Sequence, residues 1–325
     1  MNIGLIDVDG RLPNLALMKI STYYKDLGCN VSFVEEGKDY DKIYASAIFT
    51  RSKEDCEKLI TKYGDKIEIG GTGWDIEKKL PTEIENCKAD YDLYSVEQIA
   101  SRIKVIGTRE KRFQKAQQIV DAGIGFTSRG CVRNCSFCFV PKKEGCLKQS
   151  SSISDIINPR SNIIILHDNN LTADPNCIDK LHEIRDRKLI VDINQGCDVR
   201  LINEDIAQAL KEVKHLRSLH YAWDLMAFEN QVIDGIKMLS NFIKPYRHMC
   251  FILVGFNTTF EEDMYRFRKL RELKVDPFVM VYNQKDDKKL KHFARWVNAR
   301  IYKSCVWEDY SPWLKVKDEY ELVTV

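Results

Sequence analysis

Apolar positions at Ile3 to Asp7, stopping at the turn pair Asp9-Gly10, predict a short buried strand at the start of the chain. Pro13 then predicts the opening of a helix, with Ala16, Ile20, Tyr23 and Leu27 on one face and Gly28 ending it. Asn30–Glu35 alternates like a strand, and Lys42–Phe49 predicts another. Ser52–Tyr63 has helical spacing, and Lys66–Gly70 predicts a strand running into Gly70-Gly71. Strands alternating with helices over about 75 residues predict a small, doubly wound, Rossmann-like or flavodoxin-like parallel sheet.

A second alternation begins at residue 123. Strands are predicted at Ile124–Thr127, Asn162–Leu166, Leu189–Ile193, Ser218–Ala222, Cys250–Val254 and Pro277–Tyr282, with helical patterns between them at Ile178–Arg187, Asn203–Lys214 and Thr259–Leu273. Six β/α units in succession predict an α/β fold whose parallel sheet curls into a partial (β/α)6 barrel, with its chemistry in the loops after the strands. Between the two alternations lies a charged, helical stretch without proline. It carries Arg102, Lys104, Arg109, Lys111, Arg112 and Lys115 and reads as a solvated linker or arm. The expected organisation is a small Rossmann-like domain over 1–91, the linker or arm over 92–122, a core over 123–283, and a C-terminal extension over 284–325 packing on that core.

Composition narrows the class. Among 325 residues, 44% are hydrophobic and 30% charged, with a formal net charge of +2, so nothing global calls for a nucleic acid or a membrane as partner. The first residues lack the basic and apolar regions of a signal peptide, and no apolar run of about 18 residues occurs, so a cytoplasmic protein is expected. Eleven cysteines in such a chain suggest metal or free thiols rather than disulfides. Three of them, Cys131, Cys135 and Cys138, crowd into one segment directly after the strand predicted at Ile124–Thr127.

Their spacing is Cys-x3-Cys-x2-Cys. Thiolates are the usual ligands of iron–sulfur clusters, and short spacings let one loop reach several irons. Three ligands on a four-iron cube leave one iron open to a further ligand. A structural zinc site would instead want a fourth donor, which Cys146 could supply. The segment Gly130-Cys131-Val-Arg-Asn-Cys135-Ser-Phe137-Cys138, after a strand and with an aromatic residue before the last cysteine, resembles the signature loop of the radical S-adenosylmethionine (SAM) superfamily. That resemblance implies an enzyme with a 4Fe–4S cluster on Cys131, Cys135 and Cys138. Its open iron would hold SAM and cleave it reductively to a 5′-deoxyadenosyl radical acting on a substrate the sequence does not name. It also implies an external electron donor of flavodoxin or ferredoxin type.

The same resemblance implies cofactor-binding roles for residues at the ends of the later strands. Phe137 fills the aromatic place of the loop. After the second core strand the family usually carries Gly-Gly-Glu to receive the SAM amino group; here Asp168, Asn169 and Asn170 offer acceptors. Gln195, Asp198 and Arg200 follow the third strand, and a local turn and helix cap is the alternative use for them. Asp224 follows the fourth, in reach of a ribose, and Gly255 follows the fifth, where a glycine would let backbone approach the adenine. Cys197 reads as a small buried hydrophobe rather than a hydrogen-atom donor. Residues 1–91 resemble a shortened, degenerate cobalamin-binding domain, through Arg11-Leu-Pro-Asn-Leu-Ala-Leu-Met, Ala45–Thr50 and Gly70-Gly-Thr-Gly73. No histidine precedes His167, so the axial ligand of that family is missing and cobalamin is not expected.

Two other functions remain open. One is a radical SAM protein that modifies tRNA or DNA, drawing on the 102–115 cations and on Lys285–Lys303, where basic residues interleave with Phe293, Trp296 and Tyr302. An amphipathic helix burying Leu290, Phe293, Trp296 and Val297 is the plainer account of that second stretch. The other is a non-catalytic iron–sulfur electron-transfer or sensor protein.

Overall fold

In a computed structural model, which describes residues 1–311 other than Ile106 and Lys285, the chain is α/β and divides into two units. Met1–Phe126, Phe139–Gly145 and Ser151–Ile164 make the first; Thr127–Cys138, Cys146–Ser150 and the chain from Ile165 onward make the second.

The first unit carries β1 (Asn2–Asp7), α1 (Leu15–Asp26), β2 (Asn30–Phe33), β3 (Lys42–Ser46), α2 (Lys53–Tyr63) and β4 (Ile67–Gly70). The four strands are parallel in the order β2-β1-β3-β4, so the order reverses between β1 and β3. Asn14, just after Pro13, caps α1 by accepting from the backbone N–H groups of Ala16 and Leu17. Ile3, Leu5, Leu17, Ile20, Tyr44 and Ile84 form the core on one side of the sheet, and Ala45, Ala47, Cys56 and Ile69 pack together as a second cluster.

The expected strand Lys42–Phe49 stops at Ser46 because the next residues are drawn into another set of bonds. The Asp9 carboxylate accepts from the backbone N–H of Ile48 and of Phe49, each at 2.8 Å, and from the Ser52 hydroxyl at 2.8 Å. Gly71 and Gly73 then cross close behind. A Cβ on Gly71 would lie 2.2 Å from the Ala47 carbonyl oxygen, and Gly71 has φ +97°, so this crossing needs glycine.

Further along, the unit holds α3 (Thr82–Glu85), α4 (Val96–Arg102), α5 (Arg109–Asp121), β5 (Gly123–Gly125), α6 (Val140–Lys143) and α7 (Ile153–Ile156). The charged 92–122 stretch is thus two helices, and Ile99, Ala100, Ala116 and Val120 join Met18, Tyr94 and Ile124 in a buried cluster. Arg102 reaches the buried Asp7 carboxylate at 2.6 Å, and the Tyr94 hydroxyl donates to the same carboxylate at 2.9 Å. Lys104, Arg109 and Lys111 are exposed, whereas Arg102 is drawn inward by Asp7.

In the second unit, β6 (Ser128–Arg129) and β7 (Lys148–Gln149) form a small antiparallel pair. β8 (Ile163–Leu166), which enters this unit at Ile165, α8 (Cys177–Asp186), β9 (Ile190–Ile193), α9 (Glu204–Glu212) and β10 (Lys214–His215) follow, with β8, β9 and β10 side by side in that order. Next come β11 (Leu219–Ala222), α10 (Glu229–Ser240), β12 (His248–Val254), α11 (Phe260–Glu272), β13 (Asp276–Val281) and α12 (Lys288–Asn298). β11, β12 and β13 are a parallel sheet in chain order, and a parallel bridge between Cys197 and Tyr221 links it to the chain after β9. Leu219, Tyr221, Cys250, Ile252, Val254 and Val279 are fully buried on alternate positions of these strands, with α11 packing against β12 and α12 against β13.

Helix α12 buries Leu290, Phe293, Trp296 and Val297, which is the amphipathic account of the Lys285–Lys303 stretch. Lys285 itself, and residues 312–325 of the expected C-terminal extension, lie outside the described residues. Among the described residues no helix is long and apolar enough to cross a membrane.

Candidate active site

The cysteine loop leaves the first core strand through Thr127 and Ser128, and what holds it there is Asp168. This carboxylate is fully buried at the end of β8. It accepts from the backbone N–H of Thr127 at 2.7 Å and of Ser128 at 2.7 Å, and from both their hydroxyls. Four donors on one buried carboxylate leave it no capacity for a ligand. Asp168, read in the sequence as one of three possible acceptors, is therefore the anchor of the loop.

One residue on, Asn169 Oδ1 accepts from Gly130 N at 2.9 Å, and Asn170 Nδ2 lies 3.4 Å from Cys131 Sγ. Gly130 has φ +86°, which suits glycine where the chain turns into the loop. Cys131 Sγ also accepts from Arg133 N at 3.4 Å, and Cys138 N donates to the Cys135 carbonyl at 3.0 Å, closing the second half of the loop as a turn. All three thiols are half-buried and none is in a disulfide.

The thiols feel one another. Burial pushes the Cys135 thiol up; Arg200 opposes this, while Cys138, Asp224 and Cys131 add to it. A bound cation or cluster would relieve that repulsion between thiolates, so the donor set fits an iron–sulfur group. Among the described residues no group of three or more His, Cys, Asp or Glu side chains converges as the ligands of one metal ion. A four-iron cube places each thiolate on a different iron, so its ligands need not meet at one point.

Asp198 caps the turn after β9, accepting from the Arg200 backbone N–H. Its carboxylate takes Arg133 Nε at 2.9 Å and Arg200 Nε at 2.6 Å, and its backbone N–H donates to Thr172 Oγ1 at 2.8 Å. Burial raises its pKa, but the Arg200 and Arg133 guanidinium groups overcome this and hold it below the usual carboxylate range. Asp198 thereby ties Arg133, inside the cysteine loop, to the turn after β9. Gln195 stands exposed on that same turn.

Asp224 follows β11 and is close enough to Cys135 to raise it. Burial pushes its own carboxyl up to about 6, opposed by Arg266 and Arg200. Arg266 on α11 is fully buried, with Nη1 donating to the Trp223 carbonyl at 2.6 Å and the Asp224 carbonyl at 3.0 Å, and Nη2 to the Leu253 carbonyl at 2.8 Å and Asp263 at 2.5 Å. One guanidinium thus fixes the ends of both β11 and β12. Gly255, after β12, has φ +79°, and Phe256 beside it packs on Phe137 of the cysteine loop at 5.5 Å and on Tyr282 at 4.8 Å between ring centroids.

Of the residues singled out in the sequence, Phe137, Asn169, Asn170, Asp198 and Asp224 gather at the cysteine loop, and Gly255 adjoins it through Phe256. Cys197 is buried and burial pushes its thiol well up, so it stays protonated, while Cys146 is exposed. The anchors Asp168, Arg133 and Arg266 have no spacing signal in the sequence; they are recognised only by the atoms they reach.

No family model matches this chain, and no curated protein matches it. Among solved structures it is similar to crystal structures of Streptococcus suis SuiB. One is bound to precursor peptide SuiA (TM-score 0.39, 14% identity, covering 61% of this chain and 53% of that one). Another is bound to S-adenosylmethionine (TM-score 0.38, 13% identity, 63% of this chain and 57% of that one). The chain spans little more than half the length of these neighbours. A likeness this distant carries no argument about function.

Proposed function

We propose that the protein is a radical SAM enzyme, with Cys131, Cys135 and Cys138 as ligands of a 4Fe–4S cluster. The observation that carries this is the loop itself: three free, mutually interacting thiols in Cys-x3-Cys-x2-Cys spacing, anchored through Asp168 just after β8. When bound, the cluster would supply one electron to SAM and so release a 5′-deoxyadenosyl radical that takes a hydrogen atom from substrate. The chain's own part is to bind, orient and keep water out. The Asn170 side-chain amide and the Arg133 backbone N–H point at Cys131 Sγ and fix where it stands. Asp224, Gly255 and Phe137 are the residues assigned to SAM, with Asn169 and Asn170 beside them; Asp198 serves as the brace between loop and turn, and Gln195 is left as a contact for ligand at the rim.

The arrangement goes with a partial (β/α)6 barrel over 123–283, preceded by a small Rossmann-like domain over 1–91 and connecting helices over 92–122, and followed by an extension over 284–325. A cytoplasmic location and an outside one-electron donor of flavodoxin or ferredoxin type belong to the same reading. The test is anaerobic reconstitution with iron and sulfide, then dithionite and SAM. The expected product is 5′-deoxyadenosine; one equivalent of zinc and no iron in anaerobically purified protein would sink the proposal. Hydroxocobalamin added to the same preparation should not co-elute with the protein, because residues 1–91 contain no histidine.

A further inference from the structure

Helix α11, helix α12 and the chain that follows α12 enclose a cavity of about 520 Å³ in the second unit. α11 lays one stripe into it: Met264, Phe267, Arg268 and Arg271, three and four residues apart. Trp296 and the segment 302–308 form the rest of its lining. Trp296 Nε1 donates to the Cys305 carbonyl at 2.9 Å, and Ile301, at the start of that segment, is buried, so the wall is pinned to α12. None of these residues belongs to the cysteine-loop site.

The floor is aromatic. Phe267 and Trp296, both buried, meet at 4.9 Å between ring centroids, and the half-buried Tyr302 and Trp307 lie 5.9 and 5.6 Å from Trp296. The rim is cationic. Arg268, Arg271 and Lys303 line it against one carboxylate, Glu308. Glu308 reaches Arg268 at 3.9 Å, with both side chains largely exposed, which makes a weak pair. The Arg271 guanidinium lies over the Tyr302 ring, 5.0 Å from its centroid, and Lys303 is exposed. Among the described residues neither Arg271 nor Lys303 has a carboxylate at salt-bridge distance.

Two unmatched cations thus stand beside a floor of flat rings. One carboxylate would answer only one of them. A phosphate carries a charge of about −1.5 to −2 near neutrality, and a guanidinium can meet its oxygens with paired N–H groups. Flat rings stack on a nucleobase. We propose that this cavity binds a mononucleotide, with its phosphate at Arg271 and Lys303 and its base against Trp307 and Tyr302. The volume lies within the range of small-molecule sites. The inference uses no residue of the cysteine loop and stands apart from the radical SAM reading.

The probes are UMP, uridine and inorganic phosphate, titrated into the full-length protein by isothermal calorimetry at low salt. A pyrimidine is used because an adenine nucleotide could also enter a SAM site. UMP should bind with a Kd of roughly 0.1–1 mM, and uridine and phosphate at least roughly tenfold more weakly. Arg271→Gln and the exposed Lys303→Gln should each weaken UMP by roughly fivefold, the effect of one partly screened charge contact. Lys269→Gln, on α11 but outside the cavity lining, should leave binding unchanged. No heat from UMP at roughly 5 mM overturns the inference, as does uridine or phosphate binding as well as UMP. UMP binding that is indifferent to both Arg271→Gln and Lys303→Gln overturns it too. A uridine tetranucleotide that binds more than roughly tenfold tighter than UMP, and answers to the same variants, overturns the mononucleotide in favour of a nucleic-acid strand. Whether the same preparation makes 5′-deoxyadenosine bears on the radical reading alone.

Discussion

Replacing Asp168 with alanine tests whether this carboxylate sets the cysteine loop in place. The substitution leaves Thr127 N, Ser128 N and two hydroxyls without their acceptor, at positions that are 1% and 0% exposed. Each buried donor so orphaned costs about 1–3 kcal/mol; the hydroxyls can turn to other acceptors and the two backbone groups cannot, so the loss is about 2–6 kcal/mol. With an unfolding entropy of roughly 2.1 cal/mol/K per residue, that lowers Tm by roughly 3–9 °C if the chain melts as a whole. A stability loss alone is not the point. Thr127 and Ser128 precede Cys131 by only a few residues, so a loosened loop should also lower the iron bound per folded protein after reconstitution.

The control is Asp9→Ala. It removes a less buried carboxylate anchor, with donors Ile48 N, Phe49 N and Ser52 Oγ, from the first unit. Differential scanning fluorimetry with an iron assay on the folded fraction separates the two variants. Asp9→Ala should lower Tm with full iron, and Asp168→Ala should lower both. Full iron in a destabilised Asp168→Ala protein would refute the argument that the carboxylate positions the loop.

Substituting alanine for Cys131, Cys135 or Cys138 should each abolish the visible absorbance and iron of the reconstituted protein, whereas Cys146→Ala and Cys305→Ala should retain both. Acid should destabilise the fold through His248, which is fully buried and whose pKa burial lowers to about 4, with His215 assisting and a hydrogen bond opposing. The unfolded chain takes up that proton near pH 6.5, so this part of the stability is present above about 6.5 and is lost as pH falls toward about 4, a difference of about 3 kcal/mol. Urea midpoints from pH 7 to 4.5 should therefore fall more steeply for the native chain than for His248→Phe; parallel slopes would refute the assignment.

What the sequence shows and what it conceals divide along a physical line. Strands and helices were legible because burial imposes a period, and a period survives in the letters: the helix expected at Thr259–Leu273 is α11, Phe260–Glu272, with Thr259 as its cap. The cysteine spacing was legible for a related reason, since three thiols carried by one short loop also stand close together in the letters. Positions defined by a partner distant in sequence leave no such trace. Arg266 reads as one more cation on a charged helix, yet it is buried because the carbonyls of Trp223, Asp224 and Leu253 converge on its guanidinium. Asp168 reads as an acceptor facing a ligand, yet Thr127 and Ser128, some forty residues earlier, take all of it. The 92–122 stretch misleads in the opposite direction. Its cations dominate the eye, while Ile99, Ala100, Ala116 and Val120 decide its place. In each case the charge was visible and its partner was not, and for a buried charge the partner settles whether it binds a ligand or holds the fold.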